Sequence, residues 1–236
     1  MSTNINEQLR TDLSITATIN LYYDLCVPED AEEPRPLLIY CHGYGENKRH
    51  GMRIARDCAP DGFVVAALQG FYQHIDYPTG KGVPLKFGFG WLTNFKTEES
   101  IALHHKFIND VIEKLASENV VDESNVFLMG FSQTCALNFK YAFSHTEKLK
   151  GVIGVCGGMP GDWDKNEIYK ETDASVLYIH GVNDEFYTPE RVKDYKERLS
   201  HRATDVEIKS YNAGHEIISA MRGDVRDWLT KKQKAA

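Results

Sequence analysis

Short apolar runs without polar alternation recur along the chain: Leu37–Cys41, Phe63–Leu68 and Asn125–Met129. A strand with one wet face alternates, whereas a strand covered on both faces runs apolar throughout. Between these runs lie stretches of helical spacing. One extends from about Arg49 to Cys58, one from Ile101 to about Asn119, and one from Cys135 to Ser144. Further strands read at Gly151–Cys156, Ser175–His180 and Val206–Tyr211. Thr188-Pro189 opens a helix, with proline in the first helical position, and Glu216–Lys232 forms the last. Strand and helix alternate throughout after residue 36. Such a chain folds as α/β, with a mostly parallel central sheet and helices on both faces.

The flanks add detail. Ser14 to Cys26 alternates at Ile15, Ala17, Ile19, Leu21, Tyr23 and Leu25, which predicts an antiparallel strand near an edge. Gln69 to Lys96 shows no clear period and carries many aromatic residues among glycines, so a functional loop is expected there. Thr97, followed by Glu98 and Glu99, predicts a capped helix start. The 236 residues read as a single domain, 1–236, without linker or repeat.

Lys and Arg total 27 against 34 Asp and Glu, a net charge of -7, which argues against nucleic acid as a partner. The five cysteines are scattered without metal-ligand spacing, as reduced core cysteines are, and no metal site is expected. Met1 to Glu7 lacks the pattern of a signal peptide, and no apolar run reaches the length of a membrane span. Cytoplasmic placement is the expectation, with a homodimer left open.

In open α/β sheets, ligands bind beyond the carboxyl ends of the strands. Those ends carry His42-Gly43-Tyr44, Ser132, His180-Gly181-Val182-Asn183-Asp184 and Ala213-Gly214-His215. Gly130-Phe131-Ser132-Gln133-Thr134 stands between an apolar run and a helix, the context of a nucleophile elbow, although Thr134 occupies the place of the usual final glycine. A serine hydroxyl needs a neutral imidazole to take its proton, and an acid to orient that imidazole. Ser132, Asp184 and His215 are the expected triad, in the chain order Ser, Asp, His. Glu185 and Glu216 are rival acids by adjacency only. His42 and His180 read as scaffold, and His104 and His105 as helix residues at the surface or in packing. Backbone N–H groups of Gln133 and Tyr44 are the expected oxyanion hole.

Pro36 to Gly45, Gly130-Phe131-Ser132-Gln133, His180-Gly181-x-x-Asp184 and Gly214-His215 together resemble the phospholipase/carboxylesterase family of α/β-hydrolases, the acyl-protein thioesterase-like serine esterases. The resemblance spans residues 36 to 230. It implies an α/β-hydrolase fold without a large lid domain, the triad Ser132, Asp184 and His215, an oxyanion hole from Tyr44 and Gln133, no cofactor, and a small-molecule ester substrate. The family usually has glycine where this chain has Thr134 and Cys135, which implies a following helix set further from the strand. Short- to medium-chain or aryl esters are the expected substrates. Phe71, Tyr72, Phe87, Phe89, Trp91, Met159, Trp163 and Phe186 are the candidate substrate-binding residues, because three loops carry them to the catalytic edge. About half of such rings are expected to be loop anchors instead. An acyl thioesterase, a serine peptidase on the same fold, or a catalytically weakened binding protein are the alternatives.

Overall fold

The computed structural model describes residues 9–29, 34–76, 82 and 84–234. The Met1 to Glu7 stretch, and with it the reading on a leader, lies outside the described residues. In chain order the elements are β1 (Tyr23–Cys26), β2 (Arg35–Cys41), α1 (Lys48–Cys58), β3 (Val64–Leu68), β4 (Tyr72–Asp76), β5 (Lys86–Gly90) and α2 (Thr97–Ser117). Then follow β6 (Val121–Phe131), α3 (Gln133–Ser144), β7 (Gly151–Val155), β8 (Ser175–Gly181), α4 (Pro189–Val192), α5 (Tyr195–Ser200), β9 (Val206–Tyr211) and α6 (Ser219–Lys232).

Seven strands form the main sheet in the order β1-β3-β2-β6-β7-β8-β9. All neighbours are parallel except β1 and β3. The uninterrupted apolar strands have a direct physical reason, since each face of the sheet carries its own core. Leu37, Ile39 and Cys41 of β2 face one side, against Phe107, Ile108 and Val111 of α2 and Leu137 and Phe139 of α3. Leu38 and Tyr40 face the other, against Ile54 and Cys58 of α1 and Met221, Val225 and Trp228 of α6. Asn47 starts α1 as a side-chain cap, its Oδ1 accepting the N–H groups of Arg49 and His50 at 3.0 Å each. No helix of the described residues is long and apolar enough to cross a membrane.

Three expectations are corrected. The edge strand is four residues long, not thirteen. Tyr23 pairs with Leu68, the last residue of β3, and the Gln69 N–H to Tyr22 carbonyl bond at 2.9 Å closes the ladder. The residues before it have no strand to pair with, and Ile15 is 95% exposed. The Gln69–Lys96 segment holds an antiparallel hairpin, β4 with β5, pairing Tyr72 with Gly90 and Ile75 with Phe87. Thr97 is not the cap of α2. Lys96 holds that place in a left-handed conformation, while the Thr97 hydroxyl donates to the Thr93 carbonyl at 2.9 Å.

Candidate active site

The parallel strands deliver their carboxyl ends to one edge, and the polar residues that follow β6, β8 and β9 meet there. Ser132 sits between β6 and α3 at φ 55° and ψ -112°, a strained conformation for a residue with a side chain. Its N–H donates to the Val155 carbonyl at 3.0 Å, which fixes the turn to β7. The turn points the hydroxyl at His215, whose Nε2 lies 2.9 Å from Ser132 Oγ. His215 Nδ1 lies 2.9 Å from Asp184 Oδ2. Because a carboxylate only accepts, Nδ1 carries the proton and Nε2 is left as the acceptor facing the serine.

Asp184 is 2% exposed. Its Oδ1 accepts the N–H groups of Phe186 at 2.8 Å and Tyr187 at 2.9 Å. Burial alone would raise its pKa. The hydrogen bonds from His215, Tyr187 and Phe186 prevail and hold the carboxyl below its usual range. Glu185 and Glu216, the rival acids, are exposed. Rings enclose the imidazole: Phe131 at 5.0 Å between centroids, Phe186 edge-on at 4.9 Å and Tyr187 stacked at 5.9 Å. Phe131 lies inside the elbow motif, and Tyr187 stands three residues beyond Asp184.

Thr134 does not push the helix away. A Cβ at Gly130 would stand 2.6 Å from Asn138 Nδ2 and 3.0 Å from Thr134 Oγ1, so α3 lies hard against β6 and only glycine fits at position 130. The fully buried Thr134 hydroxyl donates to the Cys41 carbonyl at 2.7 Å and accepts the Phe131 N–H at 3.0 Å. It ties the end of β2 to the elbow, a connection no glycine could make.

Tyr44 lies beside Ser132's edge of the sheet, on the turn after β2. Among the described residues, the N–H groups of Tyr44 and Gln133 donate to no carbonyl or side chain. The Tyr44 ring is 60% exposed and stacks on His74 of the hairpin at 4.4 Å. Main-chain bonds from Gly45 N–H to the Phe89 carbonyl (2.9 Å) and from Phe89 N–H to the Glu46 carbonyl (3.1 Å) dock the hairpin on this turn.

The proposed substrate-binding residues divide. Phe186 is exposed beside His215, and Phe87 is exposed on the hairpin. Phe89 is half-buried beside the docked turn, and Tyr72 uses its hydroxyl on Ser100 at 2.9 Å. Trp91 and Trp163 are instead buried in the core, as is Met159. Trp163 packs between Phe143 and Tyr169, at 4.7 and 5.0 Å, and presents no face to a ligand. Phe71 packs edge-on against Trp91 at 5.7 Å, as a loop anchor does. Of the other histidines, His180 Nε2 meets Ser210 Oγ at 2.8 Å, bracing β8 against β9. His104 is buried, and burial lowers its pKa well below the ordinary value. Among the described residues, no group of three His, Cys, Asp or Glu could hold a metal ion.

The chain has relatives in sequence and in fold. The chain is 29% identical over 139 residues to acyl-protein thioesterase 1 of Gibberella zeae, an alignment covering 57% of this chain and 59% of that protein. Its matched part thus spans under two thirds of that relative. The crystal structure of the Bacillus cereus carboxylesterase superposes with a TM-score of 0.69 at 19% identity, covering 90% of this chain and 94% of the other. Zea mays acyl-protein thioesterase 2 superposes at 0.63 with 13% identity, covering 90% and 99%. At those identities the likeness is one of fold. The sequence model that describes phospholipases and carboxylesterases matches residues 24–233, from the first strand of the sheet to the end of the last helix, and the chain therefore belongs to the phospholipase/carboxylesterase family of α/β-hydrolases.

Proposed function

We propose that this chain is a serine esterase that cleaves short- to medium-chain or aryl carboxylic esters through an acyl-enzyme on Ser132. The observation that carries the reading is the unbroken relay of two 2.9 Å contacts from Ser132 Oγ through His215 to buried Asp184. His215 Nε2 takes the hydroxyl proton as Oγ attacks the ester carbonyl, and returns it to the departing alcohol. Asp184 keeps the proton on Nδ1 and stabilises the imidazolium between these steps. The Tyr44 and Gln133 N–H groups receive the negative oxygen of the tetrahedral intermediate, Gln133 with the added field of the α3 amino terminus. Water then repeats the sequence on the acyl-enzyme. The acyl or aryl group rests against Phe186 and the hairpin, with Phe87 at its outer end.

The name of the Gibberella zeae relative favours a second reading, hydrolysis of acyl thioesters by the same machinery. A panel of p-nitrophenyl esters of graded length, run beside an acyl thioester and with Ser132→Ala as control, tests both. Each methylene gains roughly 0.8 kcal/mol until the apolar shelf is covered, so kcat/KM rises from acetate to about butyrate or hexanoate and then falls. A steady rise to palmitate overturns the substrate reading. Ester turnover retained by Ser132→Ala overturns the nucleophile, since members of a triad act as a unit.

A further inference from the structure

Two peptide groups lead from β2 into the turn that carries Tyr44, and they have four polar ends. The His42 carbonyl accepts the Trp91 indole Nε1–H at 2.9 Å. The Gly43 N–H donates to Glu46 Oε2 at 2.9 Å. The Gly43 carbonyl accepts His42 Nδ1–H at 2.7 Å and the Glu46 N–H at 3.3 Å. The fourth end is the Tyr44 N–H. A trans peptide is planar and its C=O and N–H point in opposite directions. Holding the Gly43 oxygen therefore aims the Tyr44 N–H away from it.

The tautomer of His42 follows from its partners. A carbonyl cannot donate, so Nδ1 holds the proton. Nε2 accepts the Gly70 N–H at 2.9 Å and therefore holds none. The ring is fully buried, and burial holds it neutral, with a pKa lowered to about 4. Trp91, also fully buried, grips both halves of the arrangement. Its indole holds the Tyr44 side through the His42 carbonyl, and its main-chain N–H donates to Gln133 Oε1 at 3.0 Å. One residue at the foot of the hairpin thus spans the two N–H groups assigned to the oxyanion.

We propose that His42 and Trp91 are positioning residues of the oxyanion hole, fixing the Gly43–Tyr44 peptide so that the Tyr44 N–H meets charge that develops only in the transition state. This rests on the serine-esterase reading. Neither side chain touches substrate. Loss of their hydrogen bonds therefore lowers kcat and leaves KM nearly in place, as expected for an interaction made in the transition state alone.

The test compares His42→Gln, His42→Asn and Trp91→Phe with the parent on p-nitrophenyl butyrate, and measures inhibition by an aryl trifluoromethyl ketone, which forms a tetrahedral oxyanion on serine. Asn places an N–H donor where Nδ1 stood, whereas Gln can only replace the Nε2 acceptor. His42→Gln and Trp91→Phe should lose about 10- to 100-fold in kcat, with KM changed less than about threefold. Ketone affinity should fall in parallel with kcat/KM, and His42→Asn should recover most of the loss. Where His42→Gln melts below the assay temperature, the His42→Asn and Trp91→Phe pair carries the comparison. A kcat loss matched by lower thermal stability, with ketone affinity unchanged, would mark a purely structural role and overturn the proposal. So would kcat at the parent level in His42→Gln. Labelling of each protein by a fluorophosphonate separates the two readings. If the parent is not labelled at Ser132, the esterase reading itself fails. If it is labelled and the variants keep kcat, only this proposal fails.

Discussion

Thr134→Val exchanges a hydroxyl for a methyl group of nearly equal size in a fully buried position. The change strands two groups: the Cys41 carbonyl loses a donor at 2.7 Å and the Phe131 N–H loses an acceptor at 3.0 Å. A buried polar group left without a partner costs about 1–3 kcal/mol. The added methyl returns at most about 0.8 kcal/mol through burial. The net loss comes to about 1–5 kcal/mol, equivalent to a fall of about 2–20 °C in Tm for a chain of this length. Thr134→Ser keeps the hydroxyl and should lose no more than about 1 kcal/mol. Urea unfolding followed by tryptophan fluorescence measures both, with the slope m unchanged if only the folded state is affected. A Val variant at or above the parent midpoint would refute the idea that this hydroxyl ties β2 to the elbow. It would return Thr134 to a tolerated irregularity.

Other expectations follow from the same contacts. Asp184→Asn leaves the imidazole without its anionic partner and should lower kcat about 10³- to 10⁴-fold, measured on the same ester. Because the Asp184 pKa is depressed on folding, its contribution to stability is present above about pH 4. The stability difference between parent and Asn variant should therefore close as the pH falls through the folded value, and a difference that widens in acid would contradict the assignment. Gly157→Ala places a Cβ 2.3 Å from Cys135 Sγ and 2.4 Å from the Ser132 carbonyl, so urea titration should show a loss of at least about 1–3 kcal/mol, with activity falling too. Burial lowers the pKa values of His42 and His105 to about 4 each. The unfolded chain takes up these protons first, so stability should drop as the pH is lowered from about 6.5 to 4 and then level off with respect to these groups. His105→Gln should flatten that slope.

The meeting of Ser132, Asp184 and His215 could be read from sequence because their placement needs little tertiary information. Ser132, Asp184 and His215 each follow a strand, and parallel strands end at one edge. The aromatic residues were harder, because an indole on a loop reads the same whether it faces solvent or the core. Trp91 and Trp163 turned inward, whereas Phe186 and Phe87 stayed out. Strand limits also depend on partners. The alternation before Tyr23 is real, but β3 stops at Leu68 and offers nothing opposite. The hairpin escaped detection for a similar reason, since it is set by docking Phe89 on Gly45 and Glu46, residues more than forty positions earlier. Thr134 looked like a defect of the motif because its distant hydrogen-bond partner, the Cys41 carbonyl, is reached only once β2 and the elbow are adjacent.

The distance along the chain between Ser132 and His215 bears on how function returns after denaturation. The two are 83 residues apart, and Asp184 and His215 are separated by 31. Closing such loops is entropically slow compared with forming α2 or α3, whose contacts are local. Helical circular dichroism should recover before esterase turnover when the unfolded chain is diluted from urea. The interval between the two signals would time the assembly of β7, β8 and β9 onto the strand that leads into Ser132.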